Sequence, residues 1–410
     1  MAEFIDAKQA AQRLGISRQT LYAYVSRGLI KALPGDDPRQ SRYLAAAVDQ
    51  LAQTRRRGRK PKEVAKATLD WGMPVLESGL TLIDKGQCWY RGQNAVELAQ
   101  SCTLEDVAGL LWQTPAARAF PRRAPEHLKA YAGLLHQTGN TPASETLLPL
   151  FAVAARDEAT SAWQGDPTLL ARGCGDLVRM LAAAALRQAP ASAPIHQQLA
   201  QAWGVDPQRA DLIRQALVLC ADHELNASSF TARCVASTGA SLKAAVIAAL
   251  AALGGVKHGA MTTRIERLWN NIDLNDPATT LRQRLEAGED IPGFGHPLYP
   301  DGDVRAKALL DAMMPASLDT ARLAATVKQL TGAEPSIDFA LVALRRYLDL
   351  PEGAAFLIFA IGRSTGWIAH ALEQRSTEQL IRPRALYTGP RPTQLADTET
   401  RDLQAGMAPG

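Results

Sequence analysis

A thirteen-residue stretch, Gly293-Phe294-Gly295-His296-Pro297-Leu298-Tyr299-Pro300-Asp301-Gly302-Asp303-Val304-Arg305, gathers groups that bind anions and move protons. Two glycines one residue apart let backbone approach a ligand closely and present N–H groups to it. His296 can give or take a proton near neutral pH, and nine residues on Arg305 offers a planar fork for a carboxylate or phosphate. Four further clusters carry similar chemistry. Ala221-Asp222-His223-Glu224-Leu225-Asn226 follows an apolar run, so His223 and Asn226 share a face if the helix continues. In Leu253-Gly254-Gly255-Val256-Lys257-His258-Gly259, His258 precedes a helix, where the dipole favours a neutral N–H donor. Asp338 opens a helix at Phe339. Arg363 lies among Phe356, Ile358, Phe359, Ile361, Trp367 and Ile368, and an arginine buried there needs an anionic partner from protein or ligand. The other four histidines (His127, His136, His196 and His370) read as surface or packing residues.

The elements that must position these groups are almost all helical. Gly79–Asp84 and Gln87–Gly92 alternate as a short hairpin turning at Lys85-Gly86. Helical periodicity then takes over: Ala95–Ala99, Leu104–Trp112, a buried Ala/Leu-rich helix over Leu169–Leu186, Ala216–Cys220, Met261–Trp269, Phe339–Leu348 and Ala354–Gly366. Proline-rich connections occupy 120–128 and 188–196. No strand–helix alternation appears, which excludes a parallel-sheet α/β fold. The expected body is mostly α.

With 410 residues, of which 47% are hydrophobic and 6% aromatic, the chain can bury the cores of two to three domains. Cys88, Cys102, Cys174, Cys220 and Cys234 show no CxxC spacing, so neither a disulfide framework nor a metal site is expected. No apolar run approaches the length of a membrane span, and the first residues lack a signal-peptide layout, so a cytoplasmic protein is expected. The net charge of +4 hides an asymmetry: residues 1–70 carry 14 Lys/Arg against 7 Asp/Glu, the remainder 31 against 34. Only the basic head suits a polyanion.

Within that head, Asp6 caps a helix over Ala7–Leu14, Gly15 ends it, and Ser17 caps a second over Arg18–Ser26. This is a helix-turn-helix pattern in which Arg18, Gln19 and Tyr22 point outward at the start of the recognition helix. A polar loop follows, and Ser41-Arg42-Tyr43 opens another short helix to Leu51. The head resembles the small winged helix-turn-helix domains of the MerR and excisionase type, which makes DNA its expected partner. Arg55-Arg56-Arg57-Gly58-Arg59-Lys60-Pro61-Lys62 is a basic linker able to contact phosphates.

The body resembles the citrate synthase family from about Gly79 to Gly389. The resemblance rests on Tyr90-Arg91-Gly92, Ala221–Ser228, Gly255–Gly259, Gly293–His296, Asp303-Val304-Arg305, Ile337-Asp338-Phe339, Gly366–His370 and Arg382–Gly389, in order and at sensible spacing. It implies an all-helical homodimer whose large domain (71–259 and 350–395) and small domain (260–349) close over oxaloacetate and acetyl-CoA. The head (1–54) and basic linker (55–70) precede them, and a tail (396–410) follows. It further implies Asp338 as base, His258 as donor to the thioester oxygen and His296 as donor to the ketone. His223, Asn226, Arg305 and Arg363 bind the dicarboxylate, Arg382 reaches the partner subunit's substrate, and backbone N–H groups of Phe294 and Gly295 lie near coenzyme A. No cofactor or metal is implied. The expected reaction gives citrate and free coenzyme A. A 2-methylcitrate synthase using propionyl-CoA is the near alternative, since one methylene discriminates by only about 1–3 kcal/mol. A DNA-binding regulator whose body senses citrate, oxaloacetate or acyl-CoA is the distant one. The chain departs from the family pattern after the catalytic groups: Pro297 replaces a basic residue, Val304 a proline, and Ala340-Leu341-Val342 a Tyr-Ser-Gly run.

Overall fold

The structure, a computed structural model, describes residues 76–385 apart from 140, 155–156 and 314–317, together with 387–389. In the first fifty residues it describes 4–14, 16, 20–21, 24–25, 32–34, 41–45 and 48. By contacts the chain divides into two units, Met1–Leu76 with Arg382–Gly410, and Glu77–Ile381.

In the first unit, β1 (Phe4–Asp6) runs into α1 (Ala7–Leu14), and β2 (Ala32–Pro34) and β3 (Ser41–Leu44) complete an antiparallel sheet ordered β1-β3-β2. Asp6 caps α1 as expected: its carboxylate accepts the Gln9 N–H at 2.7 Å while Gln9 Oε1 accepts the Asp6 N–H at 3.1 Å. Ala10, Ala11, Leu14, Leu21, Tyr43 and Val48 form one small core. Ser41-Arg42-Tyr43 was expected to open a helix; it is the central strand instead, because Tyr43 pairs with both Ile5 and Ala32 and drops its ring into that core. Arg18, Gln19 and Tyr22 lie outside the described residues, as does the basic linker.

The second unit opens with β4 (Thr81–Asp84), β5 (Gln87–Tyr90) and β6 (Gln93–Asn94), the β4–β5 hairpin turning through Lys85 and Gly86 at positive φ. Sixteen helices follow among the described residues. They are α2 (Ala95–Ser101), α3 (Leu104–Trp112), α4 (Ala116–Ala119), α5 (Lys129–Gln137), α6 (Ala143–Ala154), α7 (Pro167–Leu186), α8 (Ile195–Ala202) and α9 (Ala210–Leu219). After them come α10 (Ala227–Ala236), α11 (Leu242–Leu253), α12 (Met261–Asn271), α13 (Pro277–Glu286), α14 (Val304–Ala312), α15 (Leu318–Thr331), α16 (Ile337–Tyr347) and α17 (Ala354–Ser376). The fold is mostly α, as the periodicity requires.

Helix α17 is the axis of this unit. Every residue from Ala354 to Ala371 is buried, and α3, α9, α10, α11 and α16 pack around it. It runs ten residues past Gly366, where the sequence suggested an end. Gly362 and Gly366, one turn apart, instead admit close backbone neighbours: a Cβ on Gly362 would stand 2.7 Å from the Leu217 carbonyl oxygen, and one on Gly366 would strike Ala221 and Asp222. By length and apolar composition α17 could cross a membrane, contrary to the reading that no run approaches that length. It is a core helix here, 89% buried over its most apolar window.

Candidate active site

His223 is carried on a turn. Helix α9 ends at Leu219, the chain reverses through Glu224 at φ 53, and Asn226 then caps α10. The expected continuous helix face for His223 and Asn226 is therefore replaced by a left-handed turn and a new helix start. The turn is clamped from three directions. The Tyr90 hydroxyl lies 3.2 Å from the Val218, Leu219 and Asp222 carbonyl oxygens. The Thr81 hydroxyl donates to Asp222 Oδ2 at 2.5 Å, and His370 Nε2 lies 3.3 Å from Asp222 Oδ1. Burial pushes the Asp222 carboxyl up, but His370, Arg363 and the Thr81 hydroxyl outweigh it and hold it below the usual range. His370, read as a surface or packing residue, is thus wholly buried against a carboxylate.

His223 Nε2 meets the Tyr299 hydroxyl at 3.1 Å, and its ring stands edge-on to His296 with centroids 5.1 Å apart. Tyr299 also faces the His296 ring at 5.3 Å and takes the Arg305 guanidinium over its face at 5.3 Å. His223 is held neutral by burial first, then by Arg305, Arg363, His296 and His258. His296 is pushed down to about 4 by burial and Arg305. Its Nδ1 accepts the Leu298 N–H at 3.2 Å, so the neutral ring carries its proton on Nε2.

The loop bearing His296 is fastened to the start of α16. The Gly295 N–H donates to the Glu334 carbonyl at 2.8 Å, the Ser336 N–H to the Gly293 carbonyl at 2.9 Å, and Phe294 pairs with Pro335. Gly293 sits at φ 87 with Ile265 and Phe339 against it, while Phe294 packs on Phe339 at 4.7 Å. The Gly295 N–H, expected to face a ligand, is therefore spent inside the protein. Asp338 lies one residue into α16, partly exposed, and burial lifts it from 3.8 to about 6 against the pull of Arg305. A carboxyl poised there is a base near neutral pH.

The two arginines are unlike. Arg305 is paired: its Nε and Nη2 donate to the two Asp303 oxygens at 3.0 and 2.8 Å, and Asp303 Oδ2 also accepts the Ile337 N–H at 3.1 Å. Arg363 is 1% exposed and donates Nε to the Cys220 carbonyl at 2.8 Å, with its guanidinium 4.8 Å above the Phe359 ring. Among the described residues it has no carboxylate at ion-pair distance. Burial lowers its pKa, opposed by Asp222. A buried cation in that condition calls for an anion.

His258 lies just ahead of α12, its ring 6.2 Å from Phe359 and its Nε2 2.8 Å from Ser228 Oγ. Burial and Arg363 push it down to about 4. Ser228 Oγ also accepts the Trp367 indole N–H at 3.0 Å and donates its own proton to Asn226 Oδ1 at 2.7 Å. Asn226, expected to bind substrate, is occupied within the protein: Oδ1 accepts the Ser228 and Ser229 N–H groups, and Nδ2 donates to the His223 carbonyl. Arg382 is exposed and falls in the other unit.

The structure thus joins His223, His296, Tyr299 and Arg305 by direct contact, and His258 and Arg363 through Phe359. The charges of Arg305 and Arg363 act on Asp338. Sequence reading missed Tyr299, Ser228, Trp367 and Asp303 as parts of this centre; spacing offered a signal only for Tyr299, three residues after His296. Three neutral imidazoles, a poised carboxylate and a guanidinium without a carboxylate partner equip the centre for proton abstraction beside a carbonyl and for carboxylate binding. Among the described residues no group of three His, Cys, Asp or Glu is arranged to hold a metal ion.

Comparisons with known proteins bear on the same segments. The family model described as citrate synthase, C-terminal domain, matches residues 68–384, and one described as helix-turn-helix domain matches residues 4–56. A citrate synthase of Haloferax volcanii is 31% identical over 358 residues, covering 78% of this chain and 94% of that protein. A 2-methylcitrate synthase of Mycobacterium tuberculosis is 30% identical over 336 residues, covering 73% and 84%. The crystal structure of citrate synthase from Thermotoga maritima superimposes with a TM-score of 0.66 at 25% identity, covering 81% of this chain and 98% of that one. The family model over residues 68–384 and the 31% identical Haloferax volcanii relative make the chain, with its helix-turn-helix domain ahead of that body, a member of the citrate synthase family.

Proposed function

We propose that the protein condenses acetyl-CoA with oxaloacetate, giving citrate and free coenzyme A. The observation that carries the reading is Asp338, a carboxyl lifted to about 6 at the mouth of α16 within the field of Arg305 and Arg363. Asp338 takes a proton from the thioester methyl group, and His258, neutral, donates to the thioester oxygen as the enol forms. The enol carbon attacks the ketone of oxaloacetate while His296 Nε2–H donates to the ketone oxygen. Water then cleaves the citryl thioester and releases the thiol. His223, Arg363 and the remaining Nη1 of Arg305 hold the dicarboxylate, and Arg382 reaches the site of the partner subunit in a homodimer. The loop at Phe294 and Gly295 lines the coenzyme A side, and residues 260–349 close as a small domain over the rest. The Mycobacterium tuberculosis relative carries the name 2-methylcitrate synthase, so propionyl-CoA is the donor to compare. The test is thiol release with oxaloacetate and each acyl-CoA, with Asp338→Ala as control. Release that vanishes in the variant supports the synthase and names its donor; binding of both substrates without release refutes it.

A second reading concerns the head. The match to a helix-turn-helix domain and the excess of 14 Lys/Arg over 7 Asp/Glu in residues 1–70 favour DNA binding there. Binding to DNA that weakens with salt and is lost on removing residues 1–66 supports it; retention unchanged by that removal refutes it.

A further inference from the structure

Helices α12 and α13 share a cavity that the acid–base chemistry leaves unused. We propose that this cavity binds a phosphate-bearing ligand.

The pattern of α12 prepares it. Ile265, Leu268 and Trp269 are buried, and that apolar stripe leaves Arg264 and Arg267, one turn apart, to face outward. Thr280 and Arg284, four apart on α13, join them, so that three arginines line a cavity of about 270 Å³. Leu268 and Pro292 add an apolar wall.

Two of the guanidiniums are held in place by acids from the chain that follows α13. Arg264 Nη2 donates to Asp290 Oδ1 at 2.6 Å, and Arg284 Nη2 lies 2.8 Å from Glu289 Oε2. Neither carboxylate is among the residues that line the cavity, so the surface it presents is cationic. Exposed pairs of this kind contribute little to stability; they orient the forks and leave most of their N–H groups available. Arg284 Nε is buried without an acceptor. Arg267 is exposed, and among the described residues its guanidinium has no hydrogen-bond or ion-pair partner. A planar carboxylate saturates one such fork, whereas a phosphate or diphosphate offers oxygens to several at once. The Thr280 hydroxyl adds a further donor.

The position of the cavity narrows the source of the phosphate to two. Pro292 immediately precedes Gly293-Phe294-Gly295-His296, and Ile265, between the two α12 arginines, packs against Gly293. The cavity therefore lies beside the loop on the coenzyme A side, where Pro297 stands in place of the family's basic residue. The phosphates of the acyl-CoA are one source, an assignment that rests on the proposed function. A free nucleotide or other small phosphate compound is the second and needs no such reading.

The experiment is calorimetric titration of the full chain with inorganic pyrophosphate at fixed ionic strength. It compares the parent with Arg267→Gln, Arg284→Gln and, as a control on α7, Arg172→Gln. Parent and control should bind alike, and each of the other two should bind about tenfold more weakly, having lost a charge-assisted contact. Arg267 holds no partner in the fold, so its variant decides the outcome even if Arg284→Gln does not fold. Thiol release then separates the sources. If pyrophosphate competes with acetyl-CoA, and Arg267→Gln raises the acetyl-CoA KM about tenfold while kcat holds, the ligand is the coenzyme. If pyrophosphate binds without competing and that KM holds, the ligand is a free phosphate compound. Absence of binding to the parent at millimolar pyrophosphate overturns the proposal. So does binding that all three substitutions weaken equally, or that none weakens. A parent that releases no thiol sinks the proposed reaction, while calorimetry still decides the cavity.

Discussion

Asp338→Asn should abolish thiol release and, at the same time, stabilise the protein. Burial lifts the carboxyl to about 6 in the fold from the 3.8 of a free aspartate side chain. Because the folded value is raised, the fold prefers the protonated form. Nothing is lost below the unfolded value near 3.8, where both states are protonated. The cost grows as pH rises and is fully present above the folded value near 6. A difference of this size corresponds to about 3 kcal/mol at 1.36 kcal/mol per unit, and solvent screening of a partly exposed group brings the expectation to about 2 kcal/mol. Asparagine keeps the shape and has no charge to desolvate. Urea denaturation of parent and variant should therefore differ by about 2 kcal/mol at pH 8, by roughly half that at pH 5, and by almost nothing at pH 3.5. In the parent, kcat/KM should fall on acidification with a midpoint near 6, where the carboxyl takes up its proton. An asparagine variant no more stable than the parent at pH 8 would sink the reasoning, because Asp338 would then carry no desolvation cost and no poised basicity.

Three other outcomes follow from the same geometry. Arg305→Met leaves Asp303 buried and unpaired and should cost about 3–5 kcal/mol in urea denaturation. Arg363→Met strands no such partner, so it should cost the fold less than about 1 kcal/mol while calorimetry records the loss of oxaloacetate binding. Gly366→Ala drives a methyl group into Ala221 and Asp222 and should destabilise by about 1–3 kcal/mol, with a raised oxaloacetate KM because the displaced turn carries His223.

Much of this architecture is legible in the chain itself, and the exceptions have physical causes. Leu104–Trp112 forms a helix at the bounds its periodicity predicts, because Thr103 and Asp106 close a capping box that local sequence announces. Lys85-Gly86 turns the hairpin for an equally local reason. Ser41–Leu44 fails because its pairing with β1 and β2 is non-local, and a strand three or four residues long leaves little alternation to read. The turn after His223 fails because Glu224 adopts a left-handed conformation that no glycine advertises. In the candidate site, the residue types that do acid–base chemistry stand out beside glycines and apolar helices. Their supports do not: Ser228, Trp367 and His370 look like ordinary core residues until tertiary packing brings them to His258 and Asp222.

The staple between the His296 loop and α16 has a consequence for inheritance and engineering. Gly295 to Glu334, Ser336 to Gly293 and Asp303 to Ile337 are three bonds that close residues 293–338 upon themselves. His296, Asp338 and the paired Arg305 all ride on this one cassette. Their mutual spacing is set inside about a tenth of the chain, so it can pass between related scaffolds as a single exchangeable part. Mutational drift elsewhere in the protein reaches the cassette chiefly where it meets its neighbours, Ile265 against Gly293 and His223 against His296.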